Sequence, residues 1–156
     1  MKKRIGYFLC LILVSGTLFY GLNQLKNEKE KEAIKKIIQD SLVDGYLNQY
    51  DIEMMKKGIH SEFTIMELNN NKLNKRKFED LLDYAKRTKP LRPKGRRVKV
   101  TIKILMVDVV GDIGCAKVEF YVGTNLHGTD YIILIKFKDG WKLIGSVAYE
   151  HTKENR

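Results

Sequence analysis

The chain has 156 residues, of which 44% are hydrophobic and 31% charged, and this composition excludes a disordered chain and favours one folded domain. The formal net charge is +10, but three positive charges lie in residues 1–4 and eight lie in residues 86–99. The basicity therefore belongs to a terminus and a loop, and the folded body is close to neutral. The two cysteines, Cys10 and Cys115, lack metal-ligand spacing and the three histidines are scattered, so we expect no metal site and no cofactor.

The first predicted element is an apolar N-terminal segment. Residues Ile5–Leu22 carry no charge and follow a basic start, Lys2-Lys3-Arg4. At about 1.5 Å per residue this run spans about 27 Å, close to the hydrocarbon core of a bilayer. We expect residues 1–25 to be either an uncleaved anchor or a cleaved signal peptide. The domain of residues 26–156 then lies in the cell envelope outside the cytoplasm, either membrane-anchored or, after cleavage, periplasmic or secreted.

Three helices are predicted in the first half of the domain. Apolar residues recur at three- and four-residue steps over residues 28–48, which indicates an amphipathic helix. Asp51 is a plausible N-cap for a second short helix that Gly58 ends. A short strand is expected near residues 61–66 and a turn over residues 68–72. Asn74 is expected to cap a third helix, which ends before Pro90.

From Val98 the apolar period changes to two, which predicts strands. Four strands are expected, over residues 98–106, 115–122, 129–138 and 141–149. Turns are expected at residues 111–112 and 139–140, and a longer loop over residues 123–128. Helices followed by antiparallel strands favour the α+β class over an alternating α/β fold.

Three stretches resemble the NTF2-like superfamily, and more closely its bacterial branch known as putative lumazine-binding. They are Asp44-Gly45-Tyr46, the run GIHSEF at residues 58–63 and residues 111–150, within a resemblance that covers about residues 31–150. It implies an NTF2-like cone, in which N-terminal helices pack on a curved antiparallel β-sheet around an apolar pocket. The family's Phe-His-Pro is here Ile59-His60-Ser61. Members include isomerases, hydratases, scaffolds and dimerising modules, so the fold alone leaves function open.

Three residues are candidates for catalysis. In a cone of this kind the segment after the second helix lies near the pocket mouth, so His60 is a candidate base or ligand-binding group. Asp130 begins an apolar strand and is a candidate base with a raised pKa, with Tyr46 as the donor opposite. In the competing interpretation His60 bonds to backbone in a loop, Asp130 is exposed, and Tyr46 closes the core with its hydroxyl in water.

Aromatic residues supply most of the candidate ligand-binding set. The set is Tyr46, His60, Phe63, Phe120, Tyr131 and Trp141. Trp141 has a second interpretation, in which it packs across the sheet.

The basic stretch 86–99 is a candidate contact for acidic lipid headgroups or an acidic partner, through Arg92, Arg96 and Arg97. The alternative is a solvated loop. No aromatic residues interleave with these charges, and the domain is expected outside the cytoplasm, so nucleic acid is not an expected partner.

Three functional hypotheses follow. The first is a noncatalytic, membrane-tethered or exported module that binds a small apolar ligand or forms a homodimer. The second is an isomerase or dehydratase with an acid–base pair in the pocket. The third is an accessory subunit of an envelope complex. The sequence contains none of the GxSxG, P-loop, HExxH or GxGxxG motifs.

Overall fold

The computed structural model of the chain describes residues 24–91 and 98–151. The helices are α1 (residues 24–49), α2 (Ile52–Gly58) and α3 (Phe78–Thr88), with a 3₁₀ turn, Lys89–Leu91, after α3. The strands are β1 (Ile59–Asn69), β2 (Lys72–Lys77), β3 (Val100–Val110), β4 (Ile113–Val122), β5 (Asn125–Phe137) and β6 (Gly140–Glu150). The α+β class is confirmed.

Helix α1 changes its winding part-way along. Residues 24–37 are α-helical, and Ile38–Gln49 continue as a π-helix, whose hydrogen bonds close wider turns. The buried side chains recur at every fourth residue: Ile34, Ile38, Leu42 and Tyr46. A four-residue repeat drifts by about 40° per step around an α-helix, and the wider turns drift in the opposite sense. The change of winding therefore keeps this stripe facing the core.

Helix α2 begins and ends as predicted. The Asp51 carboxylate accepts a hydrogen bond from the backbone N–H of Met54 at 3.0 Å, and Gly58 is the last helical residue. A Cβ at Gly58 would lie 2.4 Å from Oγ of Ser41 and 2.5 Å from Cγ1 of Ile37. The close packing of α2 on α1 therefore requires a glycine at this position.

A strand was missed between α2 and α3. The predicted short strand is the 11-residue β1, and the expected turn over residues 68–72 is reduced to Asn70 and Asn71, both with positive φ angles that asparagine tolerates. The chain then returns as β2, which pairs with β1. Every residue of β2 is exposed and most are polar, so it lacks the apolar alternation that predicts a strand.

The predicted N-cap of α3 is wrong for the same reason. Asn74 lies within β2, and α3 begins only at Phe78. The Asp80 carboxylate accepts a hydrogen bond from the backbone N–H of Lys77 at 2.8 Å, so an acidic residue in the first turn caps this helix.

The six strands form one sheet in the order β2-β1-β6-β5-β4-β3. All neighbouring strands are antiparallel except β1 and β6, which are parallel, so the sheet is mixed. The prediction of a wholly antiparallel sheet is therefore wrong at this one pair. Strands joined by tight turns are antiparallel, whereas β1 and β6 are far apart in the sequence. No turn residue could therefore indicate their pairing.

The four C-terminal strands and the hairpin turn before Gly140 follow the prediction, although β5 begins at Asn125, inside the expected loop of residues 123–128. Register shifts interrupt the pairing of β1 with β6 and of each pair from β3 to β6. Such β-bulges bend a strand and increase its twist, which accounts for the curvature of the sheet.

The sheet has an inner face, which packs on the helices, and an outer face. Side chains on the inner face are fully buried: Ala116, Val118, Ile132, Leu134 and Leu143. Four large apolar side chains on the outer face are exposed: Met106, Tyr131, Ile133 and Val147.

A polar contact fixes α1 to the far end of the sheet. The Glu30 carboxylate accepts a hydrogen bond from Nε1 of Trp141 at 2.8 Å. It also forms an ion pair with Nζ of Lys136 at 2.5 Å. The Lys136 and Trp141 hydrogen bonds hold the pKa of Glu30 below its usual value. These contacts fix the position of α1 along β5 and β6.

Two predicted features lie outside the described residues. These are the apolar segment, of which residues 1–23 are not described, and the three arginines Arg92, Arg96 and Arg97. Within residues 24–91 and 98–151, no helix combines the length and the apolar character needed to cross a bilayer.

Candidate functional site

A cleft of about 610 Å³ lies between the helices and the inner face of the sheet. Its helical wall comes from the π-helical part of α1 and from α3, and its other wall from the inner face of the six strands. This volume matches that of pockets for small organic ligands. The cleft is therefore the candidate functional site.

Tyrosine rings dominate the helical wall. Tyr46 and Tyr50 of α1 and Tyr84 of α3 contact one another edge to face, with ring centroids 5.8 to 6.5 Å apart. Tyr46 and Tyr50 are buried, whereas Tyr84 is 43% exposed. Leu42 and Leu81 complete a largely apolar wall.

Two local features hold this wall in place. Tyr50 has a φ of +51°, a left-handed conformation that is strained for a tyrosine, and its N–H donates to the carbonyl of Gly45. The Asn48 side chain exchanges two hydrogen bonds of 3.0 Å with the backbone N–H and carbonyl of Val100. The end of α1 is therefore fastened to the edge strand β3 beside the cleft.

Asp130 is a charged group on the inner face of the sheet. It is paired with Val118 of β4 and Ala148 of β6, and its carboxylate accepts a hydrogen bond from Oγ of Ser146 at 2.7 Å. Burial raises the pKa of Asp130 to about 6, and the nearby negative charge of Glu67 acts in the same direction. The Ser146 hydrogen bond and the positive charge of Arg76 oppose this shift without cancelling it.

Three of the residues predicted for the site meet in the cleft. Tyr46, Phe120 and Asp130 all line it. Phe63 does not, because its side chain is fully buried in the core. The sequence identified aromatic rings at Tyr46, Phe63 and Phe120 and a carboxylate at Asp130, but only the tertiary packing decides which of them reach the cleft.

His60 lies outside the cleft lining. Its ring stacks on Phe137 with centroids 5.1 Å apart, and its Nδ1 accepts a hydrogen bond from the backbone N–H of Glu62 at 3.1 Å. These contacts favour the interpretation in which His60 bonds to backbone, although it lies in β1 and not in a loop. It is not among the residues that line the cleft.

Tyr131 and Trp141 also lie elsewhere. Tyr131 is on the outer face, 49% exposed, with Nζ of Lys117 5.5 Å from its ring centroid. Trp141 is buried at the Glu30 contact at the other end of the sheet. Its packing across the sheet is the interpretation that the structure supports.

Most of the cleft lining was not predicted, and it includes Tyr50, Glu67, Arg76 and Tyr84. A signal for Tyr50 was present, since it continues the four-residue repeat of Ile38, Leu42 and Tyr46 by one step. Glu67 and Arg76 lie on the β1–β2 hairpin, whose second strand had no periodicity, so nothing in the sequence placed them beside Asp130.

Charged side chains surround the rim of the cleft. They are the carboxylates of Glu67, Asp80 and Glu150 and the guanidinium groups of Arg76 and Arg87. His127 lies 3.7 Å from Glu150, with its Nε2 facing a carboxylate oxygen. Among the described residues, no group of three or more His, Cys, Asp and Glu side chains has the geometry of a metal site.

Comparison with known proteins identifies the family and the fold. A family model described as "Putative lumazine-binding" matches residues 29–148, which is most of the chain. No curated protein matches the sequence at a significant level.

Three solved structures that are similar to this chain are described as NTF2-like proteins of unknown function. One from Shewanella baltica OS155 has 20% identity and a TM-score of 0.63, covering 80% of this chain and 96% of that one. One from Silicibacter pomeroyi DSS-3 has 12% identity and a TM-score of 0.64, covering 80% and 98%. One from Methylobacillus flagellatus KT has 24% identity and a TM-score of 0.57, covering 78% and 91%. At these identities the similarity shows the fold alone.

We predict that Asp130 makes the stability of the protein depend on pH. Because folding raises its pKa from 3.8 to about 6, its contribution is fully present below pH 3.8 and is lost as the pH rises through about 6. Relative to Asp130→Asn, the wild type should lose about 3 kcal/mol of unfolding free energy between roughly pH 4 and pH 8. Urea unfolding followed by the fluorescence of Trp141 measures this difference. Asp108→Asn, at an exposed site on β3, should track the wild type, and parallel curves for Asp130→Asn would contradict the prediction.

Proposed function

Because the chain belongs to the family described as "Putative lumazine-binding" and has an NTF2-like fold, we propose that it binds a small, largely apolar molecule in the cleft without transforming it. One observation carries this proposal: a cleft of about 610 Å³ whose helical wall is made of tyrosine and leucine side chains. Buried aromatic rings supply large apolar contact surfaces, and a few polar groups orient the ligand.

The noncatalytic form of the proposal rests on the acid–base candidates. An isomerase or dehydratase needs a base and a proton donor that converge on one substrate. Of the candidate bases, His60 bonds to backbone and stacks on Phe137, away from the cleft lining. Tyr46 and Asp130 remain in the cleft as recognition groups for a bound molecule.

We expect a neutral apolar probe, tryptophol, to bind in the cleft. Ala148 lies on the inner face beside Asp130, so Ala148→Phe should fill the cleft and weaken binding at least about tenfold, since steric overlap in a packed site costs 1–3 kcal/mol. Protein-observed NMR of the full chain measures affinity and location, and shifts are expected at Phe120 and Gly128.

Ala33→Phe is the matched control, because Ala33 is exposed on α1 and is not part of the cleft. It should leave tryptophol binding unchanged. Equal binding by Ala148→Phe, or no shifts at cleft residues with saturating tryptophol, would contradict the proposed function.

A second proposal concerns the outer face of the sheet, which we infer to mediate homodimer formation. Tyr131, Ile133 and Val147 are 43% to 52% exposed and lie on the neighbouring strands β5 and β6. Met106, 42% exposed, lies on the same face on β3, with Lys117 of β4 between it and Tyr131. A contiguous patch of large apolar side chains on one face is typical of an interaction surface. The cleft opens on the other face, so a dimer through this surface leaves ligand binding intact.

We expect Ile133→Lys to weaken this dimer by at least about tenfold, because a two-fold interface would bury the same new charge from both copies. Leu25→Lys, which introduces the same charge at an exposed position of α1, should leave association unchanged. Sedimentation of the full chain over a concentration series measures both variants. A monomeric wild type, or equal association of Ile133→Lys, would argue against the outer face as an interface.

We also propose that the segment of residues 1–25 places the domain in the cell envelope. The support is the uncharged run Ile5–Leu22 behind a basic start. Helix α1 is described from residue 24, two positions after Leu22 in the sequence. The basic stretch that includes Arg92, Arg96 and Arg97 is then available to acidic headgroups or to an envelope partner.

We expect the full chain to sediment with bacterial membranes after an alkaline wash. Leu13→Asp should reduce that fraction, because an aspartate in the middle of a spanning helix costs about 3 kcal/mol. Leu25→Asp, outside the run, should not. The mass of the recovered chain distinguishes the anchored from the cleaved form, and a wild-type chain that is neither membrane-bound nor exported would overturn this proposal.

A further inference from the structure

We propose that the molecule bound in the cleft is an organic cation, whose positive charge pairs with Asp130 and whose apolar body lies against the tyrosine wall. The inference rests on the proposed ligand-binding function and goes further, since it names the chemical class of the ligand. It is carried by the position of one carboxylate, by the aromatic lining, and by the balance of charge around the cleft.

Although the positive charge of Arg76 at the exposed rim acts on it, the Asp130 carboxylate makes no ion pair within 4 Å in the described part of the chain. Its hydrogen-bond partner there is the hydroxyl of Ser146. An ionised carboxylate has room for about four hydrogen bonds, so most of its acceptor capacity faces the cleft. A partly buried carboxylate is stabilised most by a group that brings both a positive charge and hydrogen-bond donors.

A second carboxylate reinforces the preference for a cation. Glu67 of β1 pairs with Ala148, and Ala148 pairs with Asp130, so the two acids lie on the inner face two strand spacings apart, about 10 Å. Glu67 makes no ion pair among the described residues, and its negative charge acts on Asp130. A cation between the two carboxylates would relieve their repulsion.

The two arginines do not reverse this balance. Arg76 and Arg87 are both exposed at the rim, and Nε of Arg87 donates to the backbone carbonyl of Asp83, away from the sheet. An anionic ligand that reached these groups would have to share the cleft with Asp130 and Glu67. Like charges at that distance in a partly buried site repel, so the rim does not favour a buried anion.

The aromatic wall suits the same ligand class. Tyr46, Tyr50 and Tyr84 form a cluster with centroids within 6.5 Å of one another, beside Phe120 of the opposite wall. Aromatic rings attract an organic cation through their negative faces, and this attraction grows when water is excluded. A cluster of rings next to a carboxylate therefore recognises an apolar molecule that carries an amine or amidine.

Binding should depend on the ionisation of Asp130. The charged or polar groups that face it are Glu67 of β1, Arg76 of β2 and Ser146 of β6, and His127 and Glu150 line the same cleft. Its pKa of about 6 means that the carboxylate is ionised above that pH and neutral below it. A ligand whose own charge is constant over this range should lose affinity as the pH falls through about 6.

The test compares three probes that share an indole body: the cation tryptamine, the neutral alcohol tryptophol and the anion indoleacetate. The full chain is held in phosphatidylcholine nanodiscs, with empty nanodiscs as the blank, and binding is measured by calorimetry and by NMR shifts at cleft residues. At about pH 8 we expect tryptamine to bind at least about tenfold tighter than tryptophol, and indoleacetate to bind weakest. At about pH 5 this advantage should shrink about tenfold, since only about a tenth of Asp130 is then ionised.

Two variants assign the effect to Asp130. Asp130→Asn keeps the shape and a polar group beside Ser146, and should abolish the preference for tryptamine while tryptophol still binds. Glu67→Gln should reduce the preference by a smaller factor, and Asp108→Asn on β3 should leave it unchanged. Glu67→Gln keeps the inference testable if Asp130→Asn does not fold.

The outcomes separate this inference from the function on which it rests. If tryptophol binds in the cleft as tightly as tryptamine, or indoleacetate binds tightest, the inference that the ligand is a cation is wrong. The proposed ligand-binding function then still stands. If a preference for tryptamine survives Asp130→Asn, the charge is recognised elsewhere and the inference is overturned. If none of the three probes binds in the cleft, both the inference and the proposed function fail.

Discussion

The packing of α1 along the inner face of the sheet positions the rest of this molecule. The buried stripe of α1 begins at Ile34, whose Cδ1 lies 2.5 Å from where a Cβ on Gly114 of β4 would be, and ends at Tyr46 in the cleft. Burial of such side chains supplies roughly 1.5–3 kcal/mol each, and the stripe contains four of them. The change to a π-helix after residue 37 keeps the stripe in contact with the core over its whole length. The same winding directs Tyr46 and Tyr50 into the cleft.

Curvature of the sheet turns this packing into a cleft. A flat sheet would contact the helices along its entire face. The β-bulges in the pairs β3–β4, β4–β5 and β5–β6 curve the sheet, and this curvature leaves space for the cleft at one end of α1. At the opposite end the Glu30 carboxylate of α1 contacts Trp141 and Lys136 of the sheet, so helix and sheet are held together there. The protein is therefore tightly packed at one end and open at the other, and the open end contains Asp130.

The site combines an apolar wall with a carboxylate that is costly to ionise. This combination lowers the stability of the ligand-free protein at neutral pH, because Asp130 loses hydration and, among the described residues, gains one hydroxyl donor. A bound molecule that satisfies the carboxylate removes this cost, so stability and ligand binding are linked at the same residue. The outer face presents the opposite chemistry, an exposed apolar surface in which Lys117 is paired with the ring of Tyr131.

Local patterns in the sequence determined much of the architecture. Apolar residues at three- and four-residue steps identified α1, Asp51 and Gly58 delimited α2, and the two-residue period after Val98 identified β3 to β6. Each of these signals depends on neighbours a few residues away. The same residues resembled the family to which the chain belongs. Only the tertiary structure decided that β6 pairs in parallel with β1, that polar β2 is a strand, and that His60 and Trp141 lie away from the cleft while Glu67, Arg76 and Tyr84 reach it. Those outcomes depend on contacts between segments far apart in the chain, and no local periodicity or turn residue encodes them.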